Sequence, residues 1–182
     1  MKPSSAVGNE ELLLESTASK SPLSWSSDGR FLLFYQLDPK TNHDLWTLPL
    51  TGDGKPSPWL NTPFIETLGQ FSPDCRWVAY QSNESGAFEI YVQPFPAANA
   101  KWQISTNGGV MPRWRPDGKE LFFIAPDTKL MAAAVTASNT TFEATSPVPL
   151  FPTRIVGGPG QIFKHQYAVS RDGRSLPDQR AG

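Results

Sequence analysis

The side chains that could carry nucleophilic chemistry are few in this sequence. It has two histidines, His43 and His165, and one cysteine, Cys75. A Ser-His-Asp triad needs a histidine held beside a serine, yet both histidines fall in predicted loops and the chain has no Gly-x-Ser-x-Gly elbow. Cys75 takes a turn position where glycine is expected, so we interpret it as a glycine replacement rather than a reactive thiol. We therefore expect no catalytic residue in this chain.

Metal and phosphate chemistry finds no support in the sequence either. Zinc sites need clustered cysteine and histidine, and calcium loops need an Asp-x-Asp-x-Asp-Gly pattern, which the chain lacks. The glycine run at 157–160 has no Gly-Lys-Ser/Thr ending of a P-loop, and the His-Arg-Asp and Asp-Phe-Gly signatures of kinases are missing. We expect neither a metal ion nor a cofactor.

Four aspartates recur along the chain, and a structural repeat explains them better than a ligand does. They lie 46, 43 and 55 residues apart, and a spacing of this order indicates one supersecondary unit used several times. Each copy has an apolar residue, a turn of the Ser-x-Asp-Gly or Ser-Pro-Asp-x kind, a basic residue and an apolar run. The predicted turn positions are Asp28, Gly29, Asp74, Asp117, Gly118, Asp172 and Gly173. The aromatic positions predicted to form the core between repeats are Trp25, Phe71 and Trp114.

Strand signals follow each turn and complete a four-stranded unit. The run after the first turn, Phe31–Tyr35, is mostly apolar and suits a strand buried on both faces. A third strand and a fourth strand with a weaker, more polar strand pattern follow. This order is typical of a propeller blade, whose strands run in sequence from the central axis to the rim. The run Met131–Val135 has helix propensity, but its place in the repeat predicts a strand. Because Cys75 replaces the turn glycine, we expect that turn to relax to type I geometry.

The predicted fold class is all-β, a propeller-type arc of four-stranded antiparallel blades. The predicted blades span about 22–60, 64–106, 109–151 and, in part, 166–176. They form one domain over 10–176, and we expect 1–9 and 177–182 to be disordered tails. Residues 10–16 predict a single strand that could complete the last blade, whereas the fourth copy is expected to stop after its turn.

The number of blades falls below the four to eight of ordinary propellers. Three interpretations follow: a piece of a larger propeller, an irregular four-blade ring, or two copies that pair. Because an open arc would leave apolar blade faces exposed, our hypothesis is self-association through the open blade edges.

The repeat resembles the WD-like repeat of TolB-type β-propellers, whose mark is [Trp/Phe]-Ser-Pro-Asp-Gly-[Lys/Arg] before an apolar strand. The matching stretches are Trp25–Phe34, Phe71–Tyr80 and Trp114–Phe123, and the resemblance covers about residues 22–176. Asp44–Leu50 and Glu89–Pro96 are also similar to the propeller joined to some bacterial membrane-linked serine/threonine kinases. The resemblance implies a periplasmic or extracytoplasmic module, possessing sensory or scaffold function, with a protein or peptide partner.

Composition narrows the class of partner. Lysine and arginine total 16 against 17 aspartates and glutamates, so no basic excess favours nucleic acid. No apolar run approaches the roughly 18 residues of a membrane-spanning helix, so we expect no membrane insertion.

The sequence therefore predicts a non-catalytic propeller that acts in binding or as a scaffold. The alternative is the propeller part of a peptidase or other hydrolase whose catalytic domain lies outside this chain, since a fold alone does not decide function. The ligand site is unassigned between two sets of connections. One set is the loops at Asp38–Asp44, Ser82–Gly86 and Ala125–Thr128, and the other is the turns at Asp28, Asp74 and Asp117.

Overall fold

Strands are the only regular elements in the described part of the chain. The computed structural model describes residues 12–52, 54–138, 141–155, 163–170 and 175–177, the last range by its backbone alone. The strands are β1 Lys20–Trp25, β2 Phe31–Asp38, β3 Asn42–Pro49, β4 Ser57–Leu60, β5 Glu66–Phe71, β6 Trp77–Ser82, β7 Glu89–Pro94, β8 Trp102–Gln103, β9 Val110–Trp114, β10 Glu120–Ile124, β11 Lys129–Ala137, β12 Phe142–Ala144, β13 Val148–Pro152, β14 Tyr167–Val169 and β15 Ser175–Pro177. Within these ranges no helix has the length and apolar character needed to cross a membrane.

The strands form three blades and the beginning of a fourth. Blade one has the order β1-β2-β3-β4 and blade two the order β5-β6-β7-β8, with antiparallel neighbours throughout. Blade three runs β9-β10-β11, and β12 and β13 both pair with the outer edge of β11. The inner strands β1, β5, β9 and β14 contact one another in that order. The predicted arc of antiparallel blades is confirmed, including a strand through Met131–Val135.

Neighbouring blades pack through apolar faces. The core between blades one and two contains Leu33, Leu45, Phe71, Val78, Tyr80 and Tyr91. The core between blades two and three contains Trp77, Ala79, Ile90, Val92, Trp114, Leu121 and Phe123. Blade two supplies alternate residues to the two cores, because successive side chains of a strand point to opposite faces of the sheet. Burying one such large side chain stabilises the fold by about 1.5–3 kcal/mol, so the cores hold the arc together.

Trp25 departs from its predicted role as a core aromatic. Phe71 and Trp114, at the equivalent positions, are 5 % exposed, whereas Trp25 is 42 % exposed. Phe71 and Trp114 each pack against the preceding blade. Trp25 ends the inner strand of the first blade, and the described chain has no blade before it. The repeat position therefore specifies an aromatic residue, but its burial depends on a neighbour.

The turns at the repeat aspartates are built alike in blades one and two. The Asp28 carboxylate accepts the Ser26 hydroxyl at 2.7 Å and the Arg30 amide at 3.0 Å. Asp74 accepts the equivalent bond from the Ser72 hydroxyl at 2.5 Å. The Ser26 hydroxyl, helped by the bonds from Arg30, lowers the pKa of Asp28 to about 2. The predicted turn positions Asp172 and Gly173 lie outside the described residues.

Cys75 keeps the left-handed backbone of the glycine that it replaces. Its φ is +60°, against +73° at Gly29 and Gly118. The backbone of Cys75 itself therefore does not relax away from the glycine conformation. The Cys75 amide donates to the Ser72 carbonyl at 2.9 Å, as in the first turn, and the paired strands on either side hold this conformation.

Both ends of the arc differ from expectation. Residues 12–16 form no strand, and residues 10–11 of the predicted strand lie outside the described part. Leu12 is 74 % exposed, so this stretch buries little apolar surface that could hold it to a sheet edge. At the other end the fourth copy does not stop after its turn, because Ser175–Pro177 forms β15 and pairs with β14. Pro177, the first residue of the predicted tail at 177–182, belongs to β15. The rest of that tail and the predicted tail at 1–9 lie outside the described residues.

The strained turn leads to a stability prediction for Cys75→Gly. A residue with a Cβ at this φ costs about 1–2 kcal/mol, and the exposed contact of the Cys75 thiol with the Ser27 hydroxyl at 3.1 Å recovers little of it. We predict a gain of about 1 kcal/mol in the free energy of unfolding, measured by urea denaturation. Cys75→Ala removes the thiol but keeps the Cβ and should show no such gain. Equal stability of the two variants would contradict backbone strain at this turn.

Candidate functional site

The blades place their connections on two opposite faces, because consecutive strands are antiparallel. The turns at Asp28, Asp74 and Asp117 form one face, here named the turn face. The loops between second and third strands, at 39–41, 83–88 and 125–128, form the other, named the loop face, together with the linkers between blades. The candidate site residues from sequence are thereby divided between two surfaces.

On the turn face each repeat aspartate accepts hydrogen bonds from within its own turn. Asp117 accepts the Lys119 amide at 3.0 Å, and Arg115 Nε lies 3.6 Å from its second oxygen. A groove of about 380 Å³ opens between blades two and three. Its lining includes four repeat positions: Asp74, Trp114, Asp117 and Gly118. Since the carboxylates here are bonded within their turns, their spacing is explained by the fold.

The loop face of blade one carries a larger depression, of about 780 Å³, here named the loop groove. Three segments wall it: residues 17–19 before β1, residues 37–42 around the β2–β3 loop, and Pro63 in the linker to blade two. The charged side chains of this lining are Asp38 and Lys40, and the Asp38 carboxylate accepts the Lys40 amide at 2.8 Å. Leu37 in the lining is 42 % exposed. The groove is nearly neutral, with an accessible apolar side chain.

The other two loops contribute less to an open surface. Asn83, in the second loop, is used within the fold, since its side-chain carbonyl accepts the Ile65 amide at 2.9 Å. Ala125, in the third loop, lines a cavity of about 410 Å³ between blades two and three, whose other walls are mainly residues 103–108 and 144–147.

The walls of the loop groove are anchored to one buried carboxyl group, that of Asp44. Asp44 is fully buried, and its Oδ2 accepts the Thr41 hydroxyl at 2.6 Å and the Asn61 amide group at 2.8 Å. The backbone amide of Thr62 also donates to this carboxyl. Thr41 belongs to the loop and Asn61 and Thr62 to the linker, so one acid ties two walls together.

A second buried acid, Glu66, stands at the start of β5 beside the first. Glu66 is 1 % exposed, and its Oε1 accepts the Thr62 hydroxyl at 2.5 Å. Its Oε2 has no hydrogen-bond partner, and neither has Asp44 Oδ1. Burial, reinforced by the charge of Asp44, raises the pKa of Glu66 to about 7.

The fold favours the protonated form of Glu66 more strongly than that of Asp44. Burial raises the pKa of Asp44 as well, but bonds from Thr41, Asn61 and Thr62 oppose that effect. Glu66 has a single donor, so it is the member that keeps a proton. Neither acid lines any of the three cavities described above, so the geometry puts no substrate against them.

Blade two repeats the buried acid with Glu89, which sequence reasoning missed as a functional position. The Ser105 hydroxyl donates to Glu89 Oε2, and the Gly108 amide donates to Oε1 at 2.7 Å. Asp44 and Glu89 each stand two residues before an aromatic of the third strand, and that recurrence is the signal that could have identified them. Blade three has Lys129 at this position. Glu66 gave no repeat signal.

The two histidines have partners that do not suit catalysis. His43 Nδ1 lies 2.6 Å from the side-chain carbonyl of Asn42, and its ring packs near Phe163 with centroids 4.7 Å apart. His165 Nε2 lies 3.0 Å from the Pro112 carbonyl, and burial lowers the pKa of His165 to about 3. Among the described residues no group of three or more histidine, cysteine, aspartate or glutamate residues could hold a metal ion.

Comparison with known proteins identifies the fold. No protein-family model matches this chain, and no curated protein matches it significantly. A structure assigned as TolB from Agrobacterium tumefaciens matches with a TM-score of 0.65 at 17 % identity, over 94 % of this chain and 61 % of that one. TolB from Acinetobacter baumannii matches with a TM-score of 0.59 at 20 % identity, over 89 % of this chain and 44 % of that one.

A third structure, assigned as a 6-phosphogluconolactonase from Bacteroides uniformis, matches with a TM-score of 0.53 at 15 % identity, over 87 % of this chain and 47 % of that one. The chain has a TolB-like β-propeller fold, as its repeat resemblance implied. It spans less than two thirds of the length of each of these structures.

The raised pKa of Glu66 leads to a pH prediction. The folded state binds this proton more tightly than the unfolded chain, in which the pKa is near 4.5. The contribution of Glu66 to stability is therefore full below about pH 4.5 and is lost as pH rises to about 7. We predict a loss on the order of 3 kcal/mol from this group over that window, measured by urea denaturation at several pH values.

Glu66→Gln should flatten this part of the profile and be more stable than the parent above pH 7. Glu143→Gln, at an exposed position, is the matched control and should follow the parent. A parent and a Glu66→Gln profile of the same slope would contradict the assignment.

Proposed function

We propose that this chain, which has the fold of TolB-type β-propellers, is a non-catalytic module that recognises an extended peptide segment of a protein partner in the loop groove. The observation that carries the proposal is the groove itself: about 780 Å³, walled by three chain segments, with an exposed Leu37 in its lining. Such a combination suits an apolar anchor side chain flanked by backbone hydrogen bonds.

The chemistry of the groove favours a peptide over a charged small ligand. Thr17, Ser19 and Asn42 offer hydroxyl and amide groups, and Pro39 and Pro63 keep parts of the wall apolar. The charges of Asp38 and Lys40 balance in number. An uncharged, extended segment can meet such a surface without leaving an ion unpaired.

We propose further that the chain itself performs no catalysis. Support comes from the partners of His43 and His165, which are an amide and a backbone carbonyl, and from the burial of Asp44 and Glu66. Its place as a sensory module of a kinase-linked protein, in the periplasm or elsewhere outside the cytoplasm, rests on the resemblance of its repeat. Cell fractionation tests the location, and recovery in the cytoplasm would contradict it.

The binding proposal is tested with peptides selected by display on the immobilised chain. Selected peptides are synthesised with a fluorescent label, and their dissociation constants are measured by anisotropy. We predict that Leu37→Glu weakens binding roughly tenfold or more, because a charge would replace the apolar contact in the groove. Leu150→Glu changes an equally exposed leucine on β13 and should leave binding unchanged. Equal loss in both variants, or loss only in Leu150→Glu, would place binding elsewhere.

Self-association through open blade edges is a further proposal. Trp25 at the first end of the arc, and Val148 and Leu150 on the outer edge strand β13 of blade three, are exposed apolar side chains. We predict that light scattering detects dimers at high protein concentration and that Trp25→Ser shifts the population to monomer, because it removes the apolar contact of one end. A parent chain that stays monomeric at all concentrations would contradict self-association.

A further inference from the structure

We propose that the loop groove is linked to protons through Glu66: when Glu66 is protonated the linker at 61–65 is held and the groove is formed, and when Glu66 ionises the linker is released. The groove then binds its ligand more tightly in mildly acidic than in mildly alkaline surroundings. The ligand in this statement rests on the proposed function, whereas the conformational change does not.

One residue of the linker connects the two buried acids. The Thr62 amide donates to Asp44, and the Thr62 hydroxyl donates to Glu66. The next linker residue, Pro63, lines the loop groove. A change in the protonation of Glu66 therefore acts on Thr62, which is directly bonded to Pro63 in the wall of the groove.

Ionised Glu66 has an unfavourable position in the closed structure. The charged groups that act on it are Asp44 from β3, Glu84 from the β6–β7 loop and Lys101 ahead of β8. Lys101 is paired with Glu84 at 2.6 Å, so this cation does not neutralise the negative charge of Asp44. Glu66 Oε2 also has no donor in the fold. A second buried charge at this position is stabilised when water hydrates it, and water can reach it if the linker opens.

The repeat does not require an acid at this position. Five residues before the repeat aromatic, blade one has Lys20, blade two has Glu66 and blade three has Gly109. A buried carboxyl without a cation beside it lowers the free energy of unfolding at neutral pH. A neutral residue could take its place in the blade. Ionisable groups with strongly shifted titration concentrate at functional positions, and here the shift falls near neutral pH.

The linker is suited to local release. Asn61 and Phe64 are exposed, and the linker contains no strand between β4 and β5. Its bonds to the rest of the fold are few: Asn61 to Thr41 and Asp44, Thr62 to Asp44 and Glu66, and Ile65 to Asn83. Segments with little buried apolar surface and few hydrogen bonds open at low free-energy cost.

Hydrogen–deuterium exchange on the free chain tests the inference without a ligand. Exchange of backbone amides in peptides covering 37–42 and 61–65 is followed over a pH series from about 5.5 to 8.5 and corrected for the intrinsic pH effect. We predict that protection of both segments falls roughly tenfold or more around the Glu66 pKa of about 7. Glu66→Gln should keep both segments protected across the series, and Glu143→Gln should behave as the parent.

A second variant keeps the inference testable if Glu66→Gln fails to fold. The charge of Glu84 raises the pKa of Glu66 and its removal also frees Lys101, so Glu84→Gln should move the midpoint of the transition to lower pH. The inference is overturned if the parent shows no transition, or if Glu66→Gln shows the same transition at the same pH. If the transition is found but no selected peptide depends on Leu37, the proposed function fails and the proton linkage stands.

Discussion

A carboxylate taken out of water is tolerated only where hydrogen-bond donors surround it, and Asp44 imposes this condition on blade one. Its donors come from the β2–β3 loop and from the linker to blade two. Satisfying one buried charge therefore brings together two of the three segments that wall the loop groove. Blade two solves the same problem with Glu89, whose donors Ser105 and Gly108 lie between blades two and three. In blades one and two the buried acid thus ties the blade to the linker that follows it.

Glu66 is different, because no such structural demand explains it. It stands beside the anchored acid, has one donor and leaves one oxygen without a partner. The apolar cores between the blades supply the stability of the arc. They offset the unfavourable free energy of burying the Glu66 carboxyl at the first linker. In this account the fold provides a rigid frame, and the linker between blades one and two is the part whose state depends on a proton.

The sequence revealed the blades because turn chemistry and strand alternation are local properties. It could not reveal the exposure of Trp25, which has the same local pattern as its buried equivalents and differs only in lacking a neighbouring blade. The φ of Cys75 was misjudged for a related reason, since paired strands outweigh the preference of a single residue. Asp44 and Glu89 look like polar beginnings of strands, and only their recurrence before aromatics hints at a role. The burial of Glu66 depends on a linker from another blade, so no local pattern signals it.

The central claim is that Glu66 shares a buried site with Asp44 and holds a proton near neutral pH. Titration of the side-chain carboxyl carbons by ¹³C NMR measures this directly. The account predicts that the Glu66 carbon titrates near pH 7, while the Asp44 carbon already has the shift of a carboxylate in that range. A Glu66 carbon that titrates close to 4.5, as in an exposed glutamate, would contradict the account.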